Sequence, residues 1–232
     1  MNGNHCGGFT LVELATAVFL MALLSMLAAG QFASSVERSH EAACLANLRG
    51  WGVAAGLYAA DHDGKLPRRG QGVQQVRVID RAEDWFNALP PYLGEKSYAE
   101  LAGSGRAPRP GSKSIFICPS AAEDARVEHF LCYGMNMYLS RWDRPEPTRV
   151  HALPSPGTVA FMADAPGGYA STVPSAGAYS VPARHRGCAH VLFLDGRVQS
   201  FDGDYLGCNR GESSHPDVRW QIDQADAWKP PQ

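Results

Sequence analysis

His185, Cys188 and His190 stand within six consecutive positions, and imidazole and thiolate are ligands that zinc prefers. On an extended strand, Cys188 and His190 share one face while His185 takes the other. No fourth ligand is evident in the sequence. His185 and Asp195, with nine residues between them, offer a second combination, since an imidazole and a carboxylate suit general acid–base work. The plainer reading is structural: Asp195 makes a turn with Gly196, and His185 anchors the start of a hairpin by hydrogen bonds. Asp61, Asp63, Asp202 and Asp204 offer oxygen ligands to calcium. However, Asp61-x-Asp63-Gly64 is only the start of an EF-hand-like loop and lacks its later glutamate. Helix-end and turn roles account for these acids. The chain has no Gly-x-Ser-x-Gly, Walker loop, His-Glu-x-x-His or Cys-x-x-Cys. The expectation is a protein that is not an enzyme and has no obligate cofactor, calcium being the one left open.

The elements that would carry these residues follow from composition and pattern. Of 232 residues, 45% are hydrophobic and 19% charged, which excludes wholesale disorder. Lys+Arg total 21 against Asp+Glu 23, so no bulk charge draws the chain to nucleic acid. The 24 glycines and 16 prolines point to a loop-rich fold. The longest apolar run extends from Phe9 to Ala29, 21 residues. As a helix it measures roughly 31 Å, near the hydrocarbon thickness of a bilayer. Its sole ionisable side chain is Glu13, costly in lipid unless paired. Beyond Gly30 the composition turns polar, while Cys44, Leu48, Trp51, Ala55 and Tyr58 recur at helical spacing. The pattern predicts a helix from Phe9 to about Asp61, ended by Asp63-Gly64 with Pro67 beyond.

Further on, Trp85–Leu89 reads as a short helix stopped by the proline pair Pro90-Pro91. Ser114–Cys118 reads as a strand stopped by Pro119, Phe130–Asn136 as a short strand or turn, and Thr158–Asp164 as a buried strand. Asp195-Gly196 between two apolar runs predicts a two-residue hairpin of type I′, with positive φ at both central positions.

Gly8-Phe9-Thr10-Leu11-Val12-Glu13 closely resembles the processing site of type IV prepilins and type II secretion pseudopilins. Cys44–Arg49, Tyr58–Pro67, the Phe-Ile-Cys-Pro-Ser and Tyr-Gly-Met-Asn pieces, and His185-x9-Asp195-Gly196 resemble a large pseudopilin-like family. The resemblance implies a leader, residues 1–8, removed after Gly8 by a prepilin peptidase that also methylates Phe9. It implies that Glu13 directs assembly by facing the terminal amine of a neighbouring subunit. It further implies a pilin-like α+β fold: a long N-terminal helix, half transmembrane (residues 9–30) and half amphipathic (31–62), packed on a small antiparallel sheet within a head of residues 63–232. The chain would then be a single-pass inner-membrane protein of a bacterium with its head in the periplasm. It would be a subunit of a type II secretion or type IV pilus-like filament, its partners the peptidase, other pilin-like subunits and the inner membrane. The alternative is a membrane-anchored periplasmic binding protein or enzyme that borrows the leader, its site formed by His185, Asp195 and the loop 165–182.

Removing the leader takes Cys6 away and leaves Cys44, Cys118, Cys132, Cys188 and Cys208, an odd number that leaves at least one unpaired or bridging chains. Cys118–Cys132 is the shortest closure in the head. Cys44–Cys118 would pin the long helix to it, and the resemblance places cysteines at both positions in related chains. Cys188–Cys208 would staple the hairpin to the tail. The sequence does not choose among them.

Overall fold

A computed structural model describes residues 10–140, 148–153, 155–211 and 215–222, with backbone alone for 27–31 and 33. Gly8 and Phe9, the expected processing site, lie outside the described residues. The chain divides into two compact units, Met1–Ser39 and His40–Gln232.

Helix α1 runs Leu11–Asp61. At its start Thr10 and Glu13 form a reciprocal cap. The Thr10 N–H and Oγ1–H both donate to Glu13 Oε2, at 2.9 and 2.8 Å, and the Glu13 N–H donates to Thr10 Oγ1 at 3.3 Å. This is the Thr-x-x-Glu pattern that satisfies orphan N–H groups at a helix start. These donors hold the Glu13 carboxyl below its usual value.

Among the described residues no helix is long and apolar enough to cross a membrane. This corrects the expected half-transmembrane helix of residues 9–30, and with it the single-pass inner-membrane location with a periplasmic head. The reason lies in the run itself. Thr10, Glu13, Thr16 and Ser25 interrupt the apolar side chains of residues 10–26. Thr16 and Ser25 turn their hydroxyls back onto the carbonyls of Val12 and Met21. Past Gly30 the polar residues begin.

In the second unit α1 buries Cys44, Leu48, Trp51 and Ala55 along one stripe. The helix stops where Asp63 and Gly64 take positive φ and the Gly64 N–H reaches back to the Ala59 carbonyl at 2.7 Å. Short helices α2 (Trp85–Ala88) and α3 (Tyr98–Gly103) follow. Ser97 and Glu100 form a second capping box at the start of α3. Trp85 brings its ring edge-on to Trp51, with centroids 5.1 Å apart, and donates its indole N–H to the Ala170 carbonyl.

Asp84, just before α2, is 2% exposed. Burial pushes its carboxyl up to about 6, with Arg81 pulling the other way. The folded value thus exceeds the ordinary one, so the folded state takes up this proton first as pH falls. Through Asp84 alone, stability rises between about pH 7 and pH 5. Asp84→Asn is expected to remove that gain, read from urea midpoints of both proteins at the two pH values.

The sheet comprises β1 (Tyr133–Asn136), β2 (Ala160–Asp164), β3 (Ser171–Thr172), β4 (Cys188–Phe193) and β5 (Val198–Asp202), in the order β3-β1-β2-β4-β5. Helix α4 (Gly203–Leu206) follows β5. β1 and β3 pair in parallel and the other pairs are antiparallel. The sheet is therefore mixed rather than antiparallel, because β3 returns beside β1 after a crossover instead of a hairpin. Both faces are covered. Along β4, Ala189, Val191 and Phe193 join a cluster with Phe201, Leu206, Val218 and Trp220. Leu192 joins the opposite cluster, which contains the α1 stripe, Trp85 and Phe116. That alternation is the period of two of a strand. A register shift between Ala160 and Met162 breaks it in β2 and puts Phe161 and Met162 in the same cluster as the α1 stripe.

Residues 114–118 form no strand, against the expectation. Side chains of α1 claim two of the carbonyls a ladder would use. The Trp51 indole N–H donates to Ile115 O, and the Asn47 amide donates to Ile117 O, each at 3.2 Å.

Candidate functional site

Where α1 meets the sheet, four chemically capable side chains converge. Cys44 comes from α1, Cys118 from the segment held under it, Asp164 from the end of β2 and His185 from the turn before β4. One ligand atom from each lies within 4.8 Å of every other, and all four residues are buried. Cys44 and Cys118 form a disulfide that closes 74 residues of chain. Cys132, Cys188 and Cys208 are free thiols, and burial pushes the Cys132 and Cys208 thiols up, the latter to about 12.

Asp164 is wholly buried. Its Oδ2 accepts the His190 backbone N–H at 2.9 Å. Its Oδ1 has no hydrogen-bond partner; His185 Nε2 lies 3.6 Å away, past hydrogen-bond range. Burial raises the Asp164 pKa, but His185, Arg184 and His190 together outweigh it, so the carboxyl is held below its usual value. Arg184 donates to the neighbouring Ala165 carbonyl. His185 Nε2 is 3.5 Å from Cys118 Sγ, and the His185 ring stacks on His190 at 4.3 Å. His190 engages Ser200 Oγ through Nδ1 at 2.8 Å, and burial holds its pKa down.

The stacked histidines correct the expectation that His185 and His190 face apart. A tight turn separates them. His185 and Cys188 exchange both backbone hydrogen bonds at 3.0 Å, and Arg186 and Gly187 both have positive φ, at 53° and 85°. That pair is the type I′ signature. At the other end of β4 only Gly196 has positive φ. There the Gly196 N–H donates to Phe193 O, and Phe193 N–H to Arg197 O. Leu194-Asp195-Gly196 is therefore a three-residue loop with a bulge, not the predicted I′ turn, because Asp195 stays at negative φ and turns its Oδ1 to the Arg197 N–H. Arg186 ties the first turn to α1 through Glu41 at 2.6 Å.

The structure does not gather the other combinations. His185 precedes β4 and Asp195 follows it, and six strand residues separate ends by roughly 20 Å. His185, Cys188 and His190 do not converge as a trio; Cys44, Cys118 and Asp164 surround His185 instead. The four acids weighed for calcium have separate partners. Asp61 accepts from Tyr92, Asp63 pairs with Arg149, Asp202 caps α4, and Asp204 pairs with Arg210. Asp164 and Arg184 went unremarked as site residues in the sequence. The available signal was a carboxylate closing an otherwise apolar strand, Val159–Ala163.

No protein-family model matches the chain, and neither a curated protein nor a solved structure does.

Proposed function

We propose that this chain is a structural subunit, similar to pseudopilins and type IV pilins, that builds a filament by packing N-terminal helices side by side. The supporting observation is the surface of α1 in the first unit. Leu11 is 85% exposed, Met26 78%, and Phe19, Leu20, Leu24 and Phe32 are likewise open to solvent. A contiguous apolar surface of this kind marks an interaction site. Burying half a dozen such side chains gains on the order of 10 kcal/mol, comparable with the cost of ordering one partner. Contact with several neighbours is therefore favoured over a simple dimer. The reading includes cleavage after Gly8 and methylation of Phe9, motivated by the Gly-Phe-Thr-Leu-Val-Glu sequence.

Intact mass and N-terminal sequencing of the native chain test the processing. Sedimentation and electron microscopy test the assembly. Leu20→Glu with Leu24→Glu is expected to abolish filaments, while a polar substitution at exposed Val53 leaves them intact. A native chain that keeps its first eight residues, or a wild-type chain that stays monomeric, would falsify the reading.

Glu13 permits a sharper experiment, because its carboxylate is already engaged by Thr10. Glu13→Ala removes the cap and the charge together; Glu13→Gln keeps an acceptor for the cap but not the charge. If Glu13 directs assembly by pairing with a neighbour's terminal amine, both variants stop assembly and both are still cleaved. Filaments from Glu13→Gln would assign the residue to capping alone.

A further inference from the structure

The geometry points to a zinc site that exists only when the Cys44–Cys118 disulfide is reduced, with Cys44 Sγ, Cys118 Sγ, His185 Nε2 and Asp164 Oδ1 as its four ligands. Tetrahedral zinc with bonds of about 2.3 Å to sulfur and 2.0–2.2 Å to nitrogen or oxygen sets its ligands roughly 3.3–3.8 Å apart. Two of the six separations fall in that range, His185 Nε2 to Cys118 Sγ at 3.5 Å and His185 Nε2 to Asp164 Oδ1 at 3.6 Å, and all six lie within 4.8 Å. Asp164 Oδ1 is a buried acceptor without a hydrogen-bond partner, aimed at the imidazole. With no hydrogen bond of its own in the oxidised cluster, such an atom is open to a cation. Its sister oxygen is fixed by the His190 N–H at 2.9 Å, the outer-shell support that orients a ligating carboxylate.

Charge also fits. Two thiolates, one carboxylate and neutral imidazole around a dication leave one negative charge, and Arg184 beside Asp164 cancels it. The exchange balances. A dithiol reductant gives two electrons and two protons to the Sγ–Sγ bond, ending as its own disulfide and leaving two thiols. Zinc uptake then releases both protons as the thiolates form, and the sulfurs part by rotation about χ1. Oxidation reverses the sequence and expels the metal. The switch is independent of filament assembly, since all four ligands belong to His40–Gln232.

The experiment uses the full chain, reduced with a phosphine under anaerobic conditions and titrated with zinc(II), then with cobalt(II) as a spectroscopic probe. One metal per reduced chain is expected, with a sulfur-to-cobalt charge-transfer band and the intense visible bands of tetrahedral cobalt. The oxidised chain is expected to bind none. Cys44→Ser with Cys118→Ser should abolish binding, Asp164→Asn should weaken it by at least about 10-fold, and Cys188→Ser with Cys208→Ser should leave it unchanged. Should reduction unfold the chain, zinc added beforehand is expected to preserve its circular dichroism. Overturning results are a reduced chain that takes no metal, a folded double variant at positions 44 and 118 that still takes it, equal uptake by the oxidised chain, or unfolding that zinc does not prevent.

Discussion

Reduction of the Cys44–Cys118 disulfide in metal-free solution lowers the stability of the unit His40–Gln232 by about 4.4 kcal/mol, the chain-entropy value for a closed loop of this length. The bond holds α1 against the segment whose carbonyls Trp51 and Asn47 bind, so the unfolded chain gains freedom over the whole intervening stretch. Urea unfolding with and without a metal-free phosphine measures the effect. With a slope of about 2–3 kcal/mol/M, the midpoint should fall by about 1.5–2.2 M. An unchanged midpoint would mean that the contacts of Leu48, Trp51 and Phe116 hold this region unaided.

Asp164→Ala is expected to cost about 3–5 kcal/mol at neutral pH, the range for removing one partner of a buried charge network. The loss leaves Arg184 without its counter-charge and the His190 N–H without its acceptor. Asp164→Asn keeps an acceptor for that N–H and should cost less. The pH profile separates charge from shape. The folded Asp164 pKa lies below the ordinary 3.8, so its contribution is complete above that value and is lost as pH falls through the folded one. His190, pushed down by burial from 6.5, acts in the same direction at higher pH. Below about 6.5 the unfolded chain takes up a proton there that the folded state resists. Stability therefore declines in two stages on acidification, and Asp164→Asn should remove the lower one. Urea midpoints across that range, taken in an Asp84→Asn background to remove the opposite contribution of Asp84, are the measurement. A single-stage profile unaffected by Asp164→Asn would refute the assignment.

The helix through Asp61, the short helix at Trp85 and the strand ending at Asp164 were legible because each carries its own period and its own stop signal. The fate of Ser114–Cys118 was not. Its apolar run has strand character, and only tertiary hydrogen bonds from α1 divert its carbonyls. The parallel β1–β3 pairing was hidden for a similar reason, since two residues of strand leave no pattern. At the site, His185 and the cysteines could be picked out by residue type. Their companion Asp164 could not be chosen from the other acids, because nothing local announces which carboxylate a fold will bury. Asp-Gly is the stronger local signal for a type I′ turn, whereas Arg186-Gly187 adopts that form under the pull of the Glu41 ion pair and the His185–Cys188 bridge.

The interval between His185 and Asp195 works as a ruler. It comprises one reversal of two residues, a single traverse of the sheet by β4, and Leu194, the first residue of the bulged loop. One residue more or less would rotate every side chain on that strand through half a turn, setting Leu192 against Trp220 and Phe193 against the long helix. A change in length is tolerable there only in steps of two, and each such step would slide the imidazole along the sheet away from Asp164.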